Sequence, residues 1–388
     1  MDHRGCISRR GFIQKAALTA AASTITPLLT SESEAYRSFP QEKSMGDEFL
    51  IEARYYDKLP HRKIKCRLCP RECQIDDLER GYCGVRENRG GTYYTLVHSR
   101  PCSWHVDPIE KKPLFHFLPG TNAFSIATVG CNIECKFCQN WQISQMRPEQ
   151  SLDYVMPPDA VVQAARESGS RTIAYTYTEP TIFYEYMYDC AVAGRERGVK
   201  SVMISNGYIL PDPMKALCKH LDAVKIDLKA FTEKFYRMQM GRLRPVLDTL
   251  ELLRDAGIWY EIVHLVIPTL NDDPAELKAM CRWIYAELGP DVPIHFSRFY
   301  PQYKLRNLPP TPIKTVERAR KIALDSGLHY AYVGNVPPGH GGEHTYCPNC
   351  GKRVIRRSIY VVSEIHIRDG KCRFCGGSIA GVWDADER

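Results

Sequence analysis

Between residues 123 and 334 the chain alternates short apolar runs with amphipathic ones. Apolar runs of strand length occupy residues 123–129, 171–177, 200–205, 223–228, 258–267, 293–299 and 329–333. Stretches whose apolar residues recur every three or four positions fill the gaps, at 158–168, 183–197, 211–220, 244–256, 274–288 and 313–326, and predict helices. Strand and helix in strict alternation predict a parallel sheet with right-handed crossovers. Six or seven units are too few to close an eight-stranded barrel. The fold expected is therefore α/β, an open, partial (β/α)6 TIM-like barrel with its site at the C-terminal ends of the strands.

Outside this core the pattern changes. Residues 1–40 read as a leader, 41–120 as an N-terminal module with a hairpin over 92–98 after the Gly90-Gly91 turn, 121–336 as the barrel, and 340–388 as a C-terminal module entered through the flexible linker Pro338-Gly-His-Gly-Gly342. In the last module, residues 353–360 and 361–367 alternate like a hairpin, closed near Asp369-Gly370. The leader carries Ser8-Arg9-Arg10-Gly11-Phe12-Ile13 before a weakly apolar run, which resembles a twin-arginine export signal. The alternative is a leader that is never exported, leaving the protein cytoplasmic.

A chain of 388 residues with 44% hydrophobic and 25% charged content has room for one large catalytic domain and small modules. No apolar run reaches the roughly 18 residues of a membrane-spanning helix. The net charge of +7 is spread along the chain, so nucleic acid is not called for.

Cysteine adds the chemistry. Of 16 cysteines, 11 fall into three clusters, a spacing that points to metal rather than to a disulfide scaffold. The stretch Gly130-Cys131-Asn132-Ile133-Glu134-Cys135-Lys136-Phe137-Cys138 follows directly on an apolar strand. Three thiolates spaced CxxxCxxC on one loop are one ligand short of a closed site, which suggests a [4Fe-4S] cluster with one open iron; a zinc knuckle completed by a distant ligand is the alternative. Cys66, Cys69, Cys73 and Cys83 can wrap one ion, with zinc or a second iron-sulfur cluster as occupant. Cys347, Cys350, Cys372 and Cys375 form two CxxC knuckles, a zinc-ribbon pattern that a second cluster could also use. Cys6, Cys102, Cys190, Cys218 and Cys281 stand alone as small apolar side chains or incidental thiols.

The cysteine loop, with an aromatic before its third cysteine, resembles the radical S-adenosylmethionine (SAM) superfamily. The words Asp107-Pro-Ile-Glu-Lys-Lys-Pro-Leu-Phe-His-Phe-Leu-Pro-Gly120, Cys138-Gln-Asn-Trp-Gln-Ile-Ser144, Tyr175-Thr-Tyr-Thr-Glu-Pro180 and His295-Phe-Ser-Arg-Phe-Tyr-Pro301 resemble the AmmeMemoRadiSam-system enzymes, relatives of the pyruvate formate-lyase activating enzymes. The resemblance implies a radical SAM barrel in which a reduced [4Fe-4S] cluster cleaves SAM to a 5′-deoxyadenosyl radical that takes hydrogen from an unidentified substrate. It also implies SAM contacts at Glu179, Asn206, Asp227 and Lys229, with Ile267 beside the adenine. His295, another candidate cofactor contact, would stand with Arg298 and Tyr300 at the substrate mouth. Tyr177-Thr178-Glu179 occupies the place of a Gly-Gly-Glu word but lacks both glycines. Implied partners are SAM, a flavodoxin- or ferredoxin-like one-electron reductant, and Memo-like and AMMECR-like proteins or a protein substrate. The rival readings are a glycyl-radical enzyme activase and an iron-sulfur or zinc electron-transfer or binding protein without SAM chemistry.

Overall fold

The computed structural model describes residues 41–43 and 49–383; the twin-arginine-like leader lies outside them. The core is one eight-stranded sheet. Its strands are β1 (Ser103–Pro108), β2 (Asn122–Ala127), β3 (Thr172–Tyr175), β4 (Lys200–Ser205), β5 (Ala223–Asp227), β6 (Trp259–Val266), β7 (Ile294–Arg298) and β8 (Ala331–Gly334). They neighbour one another strictly in chain order, β2 to β8 parallel and β1 antiparallel to β2, and the two edges do not pair. The open (β/α)6 barrel expected from the alternation is thus present, as six strand-helix units and a closing strand.

The crossovers are α1 (Pro158–Glu167), α2 (Tyr184–Glu196), α3 (Pro211–Cys218), α4 (Arg244–Ala256), α5 (Pro274–Trp283) and α6 (Ile313–Asp325). Their ends follow local chemistry. Proline opens α1, α3 and α5, where its missing N–H costs nothing, and Asp273 caps α5 by accepting from Ala275 N and Glu276 N, each at 2.9 Å. Gly257, at φ +65°, ends α4, whose buried Val246, Leu250 and Leu253 lie on one face at helical spacing. Strand β3 is buried throughout, as a central parallel strand covered on both faces must be. It stops at Tyr175, earlier than the apolar run predicts, because Tyr177 turns to φ +64°. No described helix is long and apolar enough to cross a membrane.

The segment before β2 fills the deep end of the barrel: Ile109, Leu114, Phe117 and Leu118 form a buried cluster with Ala123, Ala174, Val202, Ile204 and Ala223. The N-terminal hairpin is present with its partners shifted. Arg86–Arg89 pairs with Thr92–Thr95 across Gly90-Gly91, both at positive φ, as a two-residue hairpin turn requires. In the C-terminal module Arg353–Ser358 pairs with Val361–Ile365, while Asp369-Gly370 turns a second hairpin, Ile367–Arg368 with Lys371–Cys372. This module shares its core with the barrel: Cys347, Val354, Ile355, Ile367, Cys372 and Ile379 cluster with Phe115, Tyr330 and Tyr332. Arg357, fully buried, donates to Phe115 O at 2.6 Å and to Thr345 Oγ1 at 2.7 Å, and lies 3.7 Å from Glu110.

Candidate functional site

The cysteine loop leaves the end of β2 and is held from four directions. Gly130 N donates to Ile143 O (3.0 Å), Glu134 N to Gln239 O (3.0 Å), Lys136 N to Gln239 Oε1 (2.8 Å), and Lys304 N to Lys136 O (2.9 Å). Asn132 Nδ2 donates to Tyr208 O at 2.7 Å, and the Cys138 N–H to Cys135 O closes a tight turn at 3.0 Å. Cys131, Cys135 and Cys138 all line one cavity of about 960 Å³ at the C-terminal ends of the strands. They are the three cysteines among the residues lining it. Burial, reinforced by the charges of Glu179 and Cys135, pushes the Cys131 thiol far up, and burial pushes Cys135 up to about 12. Free thiolates would be costly here, and a bound cationic metal centre is what would stabilise them.

Glu179, Asn206, Asp227, Lys229 and His295 open onto the same cavity. Glu179 Oε1 accepts from Thr181 N (3.1 Å), Thr181 Oγ1 (2.7 Å) and Ser205 Oγ (2.7 Å), and Oε2 accepts from Asn206 N (2.8 Å). The carboxylate is therefore a cap on the Pro180–Phe183 turn and a clasp on the end of β4; only Oε2 keeps acceptor capacity for a ligand. Asp227 holds Lys225 on one oxygen and Lys229 on the other, the latter at 3.3 Å. Burial opposes its ionisation, but the two lysines hold its carboxyl below the usual range. Burial likewise opposes the Lys229 charge, which Asp227 and Cys135 more than restore, so Lys229 stays a cation beside the loop, 5.7 Å from the Phe137 ring.

Ile267 sits elsewhere than the resemblance implies, and His295 reaches the cavity with one ring nitrogen already engaged. Ile267 is fully buried and does not line the cavity. Strand β6 ends at Val266, and Ile267 N is drawn to Asn271 Oδ1 at 2.6 Å, so Val263 and Leu265 supply that wall instead. His295 lines the cavity with its ring but commits Nε2 to Glu261 Oε2 at 2.7 Å, wedged between Phe115 and Tyr332 at 4.7 and 5.0 Å. Burial depresses it despite Glu261, and its Nε2 is already satisfied.

Other residues of this site stand in the family words without an assigned role. Asp107, at the end of β1, accepts from Lys111 (2.7 Å), Lys112 and Tyr177 OH. Burial works against its charge, but these three donors hold it well below the usual carboxylate range. Lys112, almost fully buried, is lowered to about 8 by burial, with its Nζ 4.6 Å from the Tyr177 ring. Tyr177 keeps the left-handed backbone that glycine favours at this word, a strain of about 1–3 kcal/mol, and its carbonyl accepts from Asn140 Nδ2 at 2.7 Å. From the C-terminal module, Glu343, Ile359 and Tyr360 complete the wall.

In that module the four thiols Cys347, Cys350, Cys372 and Cys375 lie within 4.8 Å of one another. Cys347 to Cys375 is 3.7 Å and Cys350 to Cys372 is 3.9 Å, close to the roughly 3.8 Å edge of a tetrahedron with 2.3 Å metal-sulfur bonds. Hydrogen bonds from Asn349 and Gly377 N hold Cys375 down to about 6, ready to ligate. Cys66, Cys69, Cys73 and Cys83 are mutual neighbours without that closure.

The family model described as the radical SAM superfamily matches residues 125–281. An uncharacterized protein of Methanocaldococcus jannaschii is 46% identical over 332 residues, covering 85% of this chain and 99% of the relative. A pyruvate formate-lyase-activating enzyme of Listeria monocytogenes is 25% identical over 173 residues, covering 42% of this chain and 68% of its own. Among solved structures, a radical SAM methyltransferase from Sphaerobacter thermophilus aligns with a TM-score of 0.44 at 14% identity, over 56% of this chain and 67% of that one.

Proposed function

The chain belongs to the radical SAM superfamily, and on that premise we propose that it is an enzyme of the AmmeMemoRadiSam type that removes a hydrogen atom from a substrate seated in the 960 Å³ cavity. One observation carries the reading: three thiols without a fourth cysteine share that cavity with Asn206, Asp227 and Lys229. Cys131, Cys135 and Cys138 would hold a [4Fe-4S] cluster. When bound, the cluster and SAM supply reductive opening of the sulfonium and hydrogen abstraction by the resulting carbon radical.

The chain's own residues do the rest. Phe137, packed 6.0 Å from Phe235, keeps water from the loop. Lys229 offsets the negative charge that thiolates bring to Cys135. Glu179 and Asn132 fix the Ser205-Asn206 strand end, so its polar groups meet the cofactor in one orientation. Lys112, Asp107 and Tyr177 form a charged group at the β1 side, suited to orienting a polar substrate. The electron comes from a flavodoxin- or ferredoxin-class donor, the ribbon thiols hold zinc, and Memo-like or AMMECR-like proteins are the expected companions.

A second reading rests on the Listeria relative's name: an activase drawing hydrogen from a glycine of a partner protein. Anaerobically reconstituted protein given dithionite and SAM should yield 5′-deoxyadenosine. No product from protein loaded with about four irons at the loop would overturn the radical reading. A product deuterated from a labelled glycyl-radical enzyme would select the activase.

A further inference from the structure

We infer that Cys66, Cys69, Cys73 and Cys83 hold a second [4Fe-4S] cluster, which passes electrons to the one on the Cys131 loop. The inference rests on the proposed function for the loop itself.

The first observation is the contrast between cysteine sets. The ribbon thiols close to 3.7 and 3.9 Å, as ligands of a single ion do. Among the described residues no other three potential ligands gather within 4.8 Å. The N-terminal four are nonetheless grouped: Cys66 N donates to Cys73 O at 2.9 Å, Glu72 N donates to Cys69 O at 3.1 Å, and a Cβ on Gly81 would lie 3.9 Å from Cys83 Sγ and 3.4 Å from Ile75, the strand partner of Ile64. A cube of iron and sulfide holds each thiolate on a separate corner, so its ligands stand further apart than those of one zinc. In this respect the N-terminal set behaves like Cys131, Cys135 and Cys138 and unlike the ribbon.

The second observation is where the set sits. Gly130, at φ +96°, touches the module so closely that a Cβ there would lie 2.8 Å from Cys83 O and 2.7 Å from Val85 Cγ1. Arg71, between Cys69 and Cys73, donates to Asn132 O and Met240 O, and Arg242 donates to Pro70 O at 2.6 Å. Cys83 and Cys131 both line one cleft of about 840 Å³, together with the exposed Tyr82. The module thus packs directly on the loop, and the Cys83–Gly130 contact offers an electron a route that does not run through the substrate. The step balances as one electron: a low-potential flavodoxin- or ferredoxin-class donor is oxidised, the N-terminal cluster goes from its 2+ to its 1+ state and back, and the loop cluster is reduced. No bond or proton changes hands.

The test uses the full chain, reconstituted anaerobically as wild type, as Cys69→Ser/Cys73→Ser and as Cys131→Ser/Cys135→Ser/Cys138→Ser. Iron, zinc and the electron paramagnetic resonance of the dithionite-reduced state are measured with and without SAM. Expected are about eight irons in the wild type and about four in each variant. The triple variant should keep a reduced-cluster signal that SAM does not alter, and the wild-type spectrum should be broader than the sum of the two variants, since the paramagnets are neighbours. A triple variant without iron, or a double variant that loses zinc and no iron, overturns the site. A wild-type spectrum equal to the sum overturns the relay. If the double variant does not fold, iron in the triple variant decides alone. Failure of the underlying reading looks different: the triple variant still holds iron, while SAM alters no wild-type signal and no 5′-deoxyadenosine forms.

Discussion

Asn206 Nδ2 donates to Asn132 Oδ1 at 2.9 Å, tying the end of β4 to the loop residue that follows Cys131. Both side chains are buried, and Asn132 also donates to Tyr208 O. Asn206→Ala strands the Asn132 carbonyl without that donor, at a cost of about 1–3 kcal/mol. Iron content after reconstitution should stay near wild type while the rate of SAM cleavage falls about tenfold or more; unchanged cleavage would show that the loop does not need this tether.

Among the charges that act on the Cys135 thiol, that of Lys229 acts most strongly and favours the thiolate. In Lys229→Met, Asp227 keeps Lys225 as partner, so the fold should persist. Removing a positive charge beside the thiolates favours the oxidised cluster, and its midpoint potential should drop. Potentiometry on the reconstituted protein checks the sign; a potential that rises or does not move would refute the role.

Much of this was legible in the residue pattern, for a local reason. Parallel strands buried on both faces produce apolar runs, and a CxxxCxxC loop or a pair of CxxC knuckles carries its chemistry within a few residues. What escaped was built from distant segments. Strand β1 has no apolar alternation, since Ser103–Pro108 is an antiparallel edge ending in proline. The Asp107, Lys112 and Tyr177 group joins residues from either side of the cysteine loop, and only the folded barrel brings them together. His295 looked available because its partner, Glu261, lies on the neighbouring strand. Ile267 is the exception, because its signal is local: Pro268 follows it and Asn271, four residues on, draws its N–H into a turn that the apolar run masks.

The buried His116 couples the barrel to the ribbon. Its Nδ1 hydrogen-bonds Ala380 O at 2.6 Å and its Nε2 meets Tyr332 OH at 2.5 Å. Burial lowers it to about 4, with Glu261 opposing and Arg357 and His295 assisting. An unfolded histidine takes its proton near 6.5, so the unfolded state binds more protons between about 6.5 and 4, and stability is lost as pH falls through that window. The loss reaches about 3 kcal/mol only once pH has fallen below the folded value. Thermal unfolding from pH 7 to pH 4.5 should show a steeper decline in wild type than in His116→Gln; parallel curves would assign the acid sensitivity elsewhere.

Chelation of a metal held by the ribbon thiols, or Cys350→Ser with Cys372→Ser, should release one metal ion and leave iron at the Cys131 loop. Because Ile359 and Tyr360 line the cavity, hydrogen exchange at residues 357–362 should speed up and SAM cleavage should become less tightly coupled to substrate. Retained protection of that hairpin after metal loss would mean that packing on Phe115 and Tyr332 suffices to hold it.

The hairpin tip at Ile359 and Tyr360 also sets an order of events during synthesis. The ribosome delivers the cysteine loop, then all six crossovers, and only afterwards the residues that finish the cavity wall. A chain arrested before Glu343 carries a complete sheet whose cavity wall still lacks Glu343, Ile359 and Tyr360. The loop thiols are therefore made well before the hairpin that narrows the cavity around them.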